Sequence, residues 1–525
     1  MESGKKEFLG LLCNLYITVL LVALPLFTGE GYWHLDETKY ALFYNISLLC
    51  LGGWLVAGMP WRIKALRLKR AGNVFSGVDR AVILYEVCVV LSALCSSYGM
   101  LAWKGYEGWY MGAVSQLLFA GIYFFVSRQY DGAAWPLYLG EAALFAATVL
   151  GLLHRLGMDP LGLMAGWGSG DWEYSHMLST LGNINWLCGY YSVALAFAVE
   201  HFLREESPWL MAVSYAVSAC ALVLLCIQGS QGGLMVAVVC IIVCVVFGGK
   251  QRHIWKRMSL LLAGVFLGLL LMDVLMELRG ESAAVVADGN LFAVVGRYVW
   301  GIGAAVSLLG FLAARRIGPG RRRLSRRLRR WIFLGAAAGM LLACVAVARG
   351  IDDRFGSGRG FLWRISLENF ADASGKDRLL GAGPDCYGEA VFNRLGADTD
   401  VWDGEHWEGA VFVNAHCEPL NQLCNVGILG TVCYLAVFLV GLWRYRDSAL
   451  GILVIVMYGM HSLVSFQQVL NTPLLFLVLG LCEAEKRQDF GGKGSGNRWI
   501  RTDLTHSGVE GGKTEREDEY EVEKI

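Results

Sequence analysis

The stretch His416-Cys417-Glu418-Pro419-Leu420-Asn421-Gln422-Leu423-Cys424-Asn425-Val426-Gly427-Ile428-Leu429-Gly430 leads directly into the apolar run 425–442. It sets one histidine at the lip of a hydrophobic segment, eleven residues before a Gly-x-x-Gly. Runs like 425–442 recur from Phe8 to about Cys482. Each is near the ~20 residues that cross a ~30 Å hydrocarbon core as helix. Of the 525 residues, 55% are hydrophobic and 17% charged, against about 25% charged in a soluble chain. The class read from these features is an all-α polytopic membrane protein of roughly 12–14 transmembrane helices.

The predicted spans lie near 8–29, 39–59, 79–97, 111–126, 136–153, 184–202, 209–227, 231–248, 258–276, 294–314, 331–348, 425–442, 449–466 and 469–482. Net charge is zero, with 45 basic and 45 acidic residues, but the signs are segregated. With the N-terminus inside, the loops assigned to the cytoplasm hold Arg62, Lys64, Lys69, Arg70, Lys256, Arg257 and the basic block 315–330. That is the asymmetry the positive-inside rule demands. Lys5 and Lys6 precede a first run too long for a signal h-region, with no small-x-small site after it, so it reads as an uncleaved helix. The cysteines fall mostly inside spans, where they act as small apolar residues, and none has CxxC spacing. Cys386 and Cys417, in the longest loop, pair only if that side is oxidising; two free thiols are the default.

The organisation expected is a membrane domain over 1–482, a long extracytoplasmic loop at 349–425 just before the last helices, and a disordered cytoplasmic tail at 483–525. The tail has few apolar residues with which to offset its ordering entropy. The loop is long enough to be functional rather than a connector. It reads as a helix around Arg359 to Ala371, a Gly383-Pro384 turn, a second helix from Asp385 to about Leu395, an acidic irregular segment at 397–409, and a helical run from near His416. No internal repeat of the inverted-transporter kind is evident.

Several residues carry candidate chemistry. His416 titrates near neutrality and so suits proton transfer, although an isolated histidine at a membrane boundary commonly only snorkels from a helix end. Arg364 has Glu368 at i+4, the spacing of an ordinary helix-surface pair. Arg359 has no acid three or four positions away, which leaves its guanidinium fork for an anion such as phosphate. Arg297 lies near a span end, where a charge is costly and either functional or snorkelled. The segment Asp398-x-Asp400-x-x-Asp403-Gly404-Glu405 is partly similar to a calcium loop but has one residue too many, and no metal site is expected. Trp402 and Trp407 either anchor at the interface or stack on sugar rings.

The chain resembles the O-antigen ligase and Wzy-type polymerase group of membrane glycosyltransferases. His416, Cys417, nine residues and Gly427-Ile428-Leu429-Gly430 follow that family's spacing. Arg359-Gly360-Phe361-Leu362-Trp363 and Gly381-Ala382-Gly383 look like its Arg-x-x-x-Trp helix and Gly-x-Gly turn, and Gly182-Asn183-Ile184-Asn185 is similar to its Gly-Asn-Pro-Asn. The resemblance covers about 178–481. It departs at Cys417, where an amide or hydroxyl is usual, and at Gln231, which stands where the family has a cation; Arg297 or Arg279 would have to compensate.

The resemblance implies a GT-C-like fold and glycan transfer or polymerisation in cell-surface polysaccharide assembly, on the outer face of a bacterial cytoplasmic membrane. The donor would be a glycan on undecaprenyl pyrophosphate and the acceptor a sugar hydroxyl on a glycan or the cell wall, with no cofactor and no nucleic acid. His416 would be catalytic; Arg359, Arg297, Gln231 and Arg364 would hold the pyrophosphate; Gly427 and Gly430 would be the motif glycines. The alternative is a flippase or transporter of a lipid-linked glycan, which needs the cations without bond formation.

Overall fold

The computed structural model describes residues 2–67, 75–168, 171–248, 252–280, 295–316, 352–396, 401–402, 405–406 and 412–490. Within them the chain is helical almost throughout, and the strands are two-residue ladders. Every predicted span falls on a helix except 331–348, which lies outside the described residues together with most of the basic block 315–330. Among the described residues, eight helices are long and apolar enough to cross a membrane: Lys6–Leu26, Leu35–Ala57, Trp135–Arg155, Ile184–Arg204, Pro208–Ile227, His253–Arg279, Arg297–Arg315 and Glu418–Arg444. Gln231–Val246 and Ala449–Ser462 are apolar but shorter. The architecture is an all-α, multi-pass membrane bundle.

Ile184–Arg204 forms the axis of the bundle, buried over almost its whole length, whereas Arg297–Arg315 lies at the rim with its apolar faces outward. Around the axis, Gly77–Cys95 packs on Glu418–Arg444, Ala113–Gln129 on Thr472–Phe490, and Arg252–Arg279 on Arg297–Arg316. One end of the bundle is closed by ion pairs. Ser76 and Asp79 form a capping box (Asp79 N to Ser76 Oγ 3.2 Å, Ser76 N to Asp79 Oδ2 2.7 Å), and Asp79 Oδ1 accepts from Tyr123 (2.7 Å) and Arg128 (3.0 Å). Arg444 grips Glu483 with two bonds, 2.6 and 2.9 Å.

Those pairs correct the tail boundary. The last helix continues past residue 482 to Phe490, because Glu483 meets Arg444 and Arg487 reaches both Asp79 and Glu483. The rest of the 483–525 tail lies outside the described residues. In the long loop the first helix is Phe355–Ala371 and the next expected one Tyr387–Leu395, with an additional Gly375–Leu380 turn of helix between them. The acidic segment holds a small antiparallel ladder, Val401 opposite His406 and Trp402 opposite Glu405; Asp398, Asp400, Asp403, Gly404 and Trp407 lie outside the described residues. Cys386 and Cys417 are both free thiols.

Candidate functional site

The opposite end of the bundle carries the long loop, and the loop brings its own small core. Phe361 and Ile365 from Phe355–Ala371 pack with Tyr387 and Val391 from Tyr387–Leu395, and with Ala415 and Cys424 at the return to the bundle. Ser366 Oγ and Tyr387 OH meet at 2.8 Å within it, and Arg394 ties the unit together through Asp377 (2.6 Å) and Asn369 (3.0 Å).

The unit is seated on the bundle by the two glycine motifs. Gly427 (φ +66°, ψ −173°) breaks Glu418–Arg444, a conformation that glycine takes at little cost. A Cβ there would strike Leu379 O and come within 2.6 Å of Gly381 N. Reciprocally, a Cβ on Gly381 (φ +82°) would strike Asn425 O. Glycine at both positions lets the backbones meet, and Ala382 N donates to Cys424 O and Gly383 N to Asn425 O, both at 2.9 Å. Ser92 Oγ donates to the same Asn425 O (2.9 Å) and Ser96 Oγ to Ala382 O (2.6 Å), which clamps the junction to the end of Gly77–Cys95. Gly430 is helical and packs against Val426 and Cys88.

His416 stands one residue before the cap of this broken helix, in the left-handed region at φ +45°. A non-glycine residue there costs about 1–3 kcal/mol and persists only where its surroundings impose it. Here Asn414 Oδ1 accepts from His416 N (3.1 Å), Asn421 Oδ1 accepts from Ala415 N (3.3 Å), and the imidazole meets the Phe466 ring edge-on at 4.9 Å. Burial first, then the positive charge of Arg359, push the imidazole down to about 3, so it is neutral across the physiological range.

Arg359 is held by carbonyls: Nε donates to Val464 O (3.1 Å) and Nη1 to Gly356 O (2.8 Å). It makes no carboxylate pair among the described residues, as its helical spacing predicts, and burial lowers its pKa. Val464 belongs to the non-helical segment 463–471, which Glu418 fixes from below. Glu418 Oε2 accepts from Gln467 N (2.8 Å) and Oε1 from Gln422 Nε2 (2.6 Å), while Gln116 Nε2 donates to Gln467 Oε1 (2.6 Å).

The sequence reading did not single out His461, Ser230 and Cys188, which share this neighbourhood. The field of Arg359 reaches His461 and Cys188 as well as His416. Ser230 donates to Asn185 Oδ1 (2.8 Å) and accepts from Gly232 N (3.2 Å), opening Gln231–Gly248. A Cβ on Gly232 would lie 3.7 Å from His461 Cδ2, so the start of that helix abuts the histidine. An ionisable residue inside an apolar run was the available signal for His461.

The other expected phosphate ligands lie elsewhere or at the margin. Gln231 is exposed at the first position of Gln231–Gly248, at the edge of the cluster. Arg364 faces away from Arg359, paired with Asp353 (2.7 Å) and with Glu368 (3.1 Å) as its spacing predicts. Arg297 is paired with Asp273 (3.0 Å) and Glu277 at the rim, and Arg279 donates to Leu156 O (2.8 Å), so both are engaged elsewhere rather than compensating for Gln231. Among the described residues no cluster of three or more His, Cys, Asp or Glu has metal-binding geometry. No protein-family model matches this sequence, and no curated protein matches it.

Proposed function

We propose that this protein transfers a glycan from a polyprenyl-pyrophosphate donor to a sugar hydroxyl at the outer face of a bacterial cytoplasmic membrane, through a GT-C-like bundle of twelve to fourteen spans whose 349–425 loop is extracytoplasmic. The observation that carries the reading is that the charge of Arg359 acts on both His416 and His461, and that His461 abuts the N-terminal end of Gln231–Gly248. Arg359 has hydrogens to spare, and a helix N-terminus presents amides and a partial positive charge, so the pair suits a pyrophosphate.

In the reaction the acceptor oxygen attacks the anomeric carbon while the bond from that carbon to the pyrophosphate oxygen breaks. The bonding pair stays on the pyrophosphate, which leaves attached to its polyprenyl chain. The hydroxyl proton passes to the neutral imidazole of His416. A bound pyrophosphate offsets the Arg359 charge that helps to hold that imidazole's pKa low, so His416 becomes a better base when donor is present. Gln231, exposed at the edge of the cluster, can donate an amide hydrogen bond to the same group but no charge.

The test is purified full-length protein with undecaprenyl-pyrophosphate-linked glycan, assayed for released undecaprenyl pyrophosphate. General-base assistance is typically worth about 10²–10⁴-fold, so His416→Ala should lose that much turnover while still binding donor. Near-normal turnover in a normally expressed His416→Ala protein would refute the assignment, and transbilayer movement of donor without product would favour a flippase.

A further inference from the structure

One aromatic ring away from His416 lies a shallow open cleft lined by Asp36, Tyr40, Trp109, Trp186 and Gln468. Phe466 is the ring between: it meets His416 at 4.9 Å and Trp109 at 4.7 Å, edge-on to both. Trp109 and Trp186 stand at 76° to one another with centroids 6.0 Å apart, an aromatic corner of two half-buried rings. Their loops are fixed. Asp385 Oδ2 accepts from both Tyr106 N (2.8 Å) and Met111 N (2.9 Å), bracketing Trp109, and Asn183 caps the helix that carries Trp186.

The polar groups of the cleft are unspent. Gln468 is 5% exposed, and neither its amide nitrogen nor its amide oxygen has a hydrogen-bond partner, although its backbone N is bonded to Asn471 and Thr472. A buried primary amide left unpaired is costly, and one beside a cleft marks where a ligand supplies the missing donor and acceptor. Asp36 and the indole N–H groups of Trp109 and Trp186 make no hydrogen bond to another described residue, and unlike the Gln468 amide they are partly open to solvent.

A ligand for this site must offer an apolar face to the rings, and hydroxyls that both give and accept hydrogen bonds at its edge. A phosphate fails, because Asp36 repels it and it has no apolar face. A quaternary ammonium would suit the rings and the carboxylate but offers nothing to the Gln468 amide. A pyranose meets every demand: its C–H face lies on an indole, and its equatorial hydroxyls reach the amide and the carboxylate. We infer that this cleft is a pyranose-binding subsite. Its role as the seat of the sugar whose hydroxyl faces His416 rests on the transfer reaction proposed above; the binding itself does not.

The test uses full-length protein in nanodiscs and saturation-transfer NMR with methyl glycosides of glucose, galactose and N-acetylglucosamine, and phosphocholine as the ammonium probe. At least one glycoside should receive saturation on its C–H face. Trp109→Ala and Trp186→Ala should each weaken its binding about tenfold, and His416→Ala should leave it unchanged. Asp36→Asn, a conservative change outside the aromatic packing, should weaken binding severalfold and serves if a tryptophan variant fails to fold. Saturation of no glycoside, of phosphocholine alone, or of a glycoside whose binding ignores Trp186→Ala and Asp36→Asn would overturn the subsite. Glycoside binding in a protein that transfers no glycan would leave the subsite standing and remove the reaction.

Discussion

Gly427→Ala tests whether the loop is seated on the bundle in the way the backbone contacts indicate. The new Cβ must adopt φ near +66° and would strike Leu379 O, with Gly381 N at 2.6 Å. Both neighbours are backbone, so no side-chain rotation relieves the clash. The region φ +66°, ψ −173° is essentially glycine-only and costs an L-residue roughly 1–3 kcal/mol. Moving Leu379 to Gly381 away also strains Ala382 N to Cys424 O and Gly383 N to Asn425 O, each worth about 0.5–1.5 kcal/mol. The combined loss is roughly 2–6 kcal/mol, concentrated at the junction of residues 379–383 with the helix that follows His416. Thermal unfolding in nanodiscs should show a Tm lower by several degrees, and limited proteolysis should cut the 352–396 region faster. Gly375→Ala is the control, since an added Cβ there meets nothing within 4 Å. Equal Tm and equal proteolysis for Gly427→Ala and Gly375→Ala would refute the interlocked junction.

Arg359→Lys keeps charge but loses the fork that reaches past Val464 O and Gly356 O, so turnover should fall about 10–100-fold. Arg364→Lys, in an exposed pair, should stay within about twofold; equal tolerance of both would reduce Arg359 to a packing residue. A cysteine placed at Gly375 should label from outside intact cells and one at Gly318 should not, and the reverse result would invert the proposed orientation. Burial raises the Asp385 carboxyl from 3.8 to about 7, so between those values the folded chain holds a proton that the unfolded chain has released. Its contribution to stability is therefore greatest below pH 4 and is lost as pH rises toward 7. Asp385→Asn should remove that downward slope in the Tm-versus-pH curve relative to wild type; an unchanged difference between pH 4 and pH 8 would show that the carboxyl does not titrate there.

The sequence by itself determined what depends on neighbours along the chain. Apolar runs placed the helices, since spanning length is a local property, and i+4 spacing gave the Arg364–Glu368 pair and an Arg359 without a carboxylate. It also marked Gly427 and Gly430 by spacing, without the reason glycine is required. Tertiary structure decided everything that needs two distant segments. Gly427 must be glycine because residues 379–383 come to rest against it. Arg297 is spoken for by Asp273 and Glu277 on another helix, and the last helix outruns its hydrophobic length because Asp79 and Arg444 hold its charged turns. The start of Gln231–Gly248 meets His461, and the Trp109–Trp186 cleft meets Phe466 beside His416, only once the helix ends converge. Side-chain periodicity reports which face of a helix is apolar, whereas the partner of a polar group at a helix end is chosen by packing across the bundle.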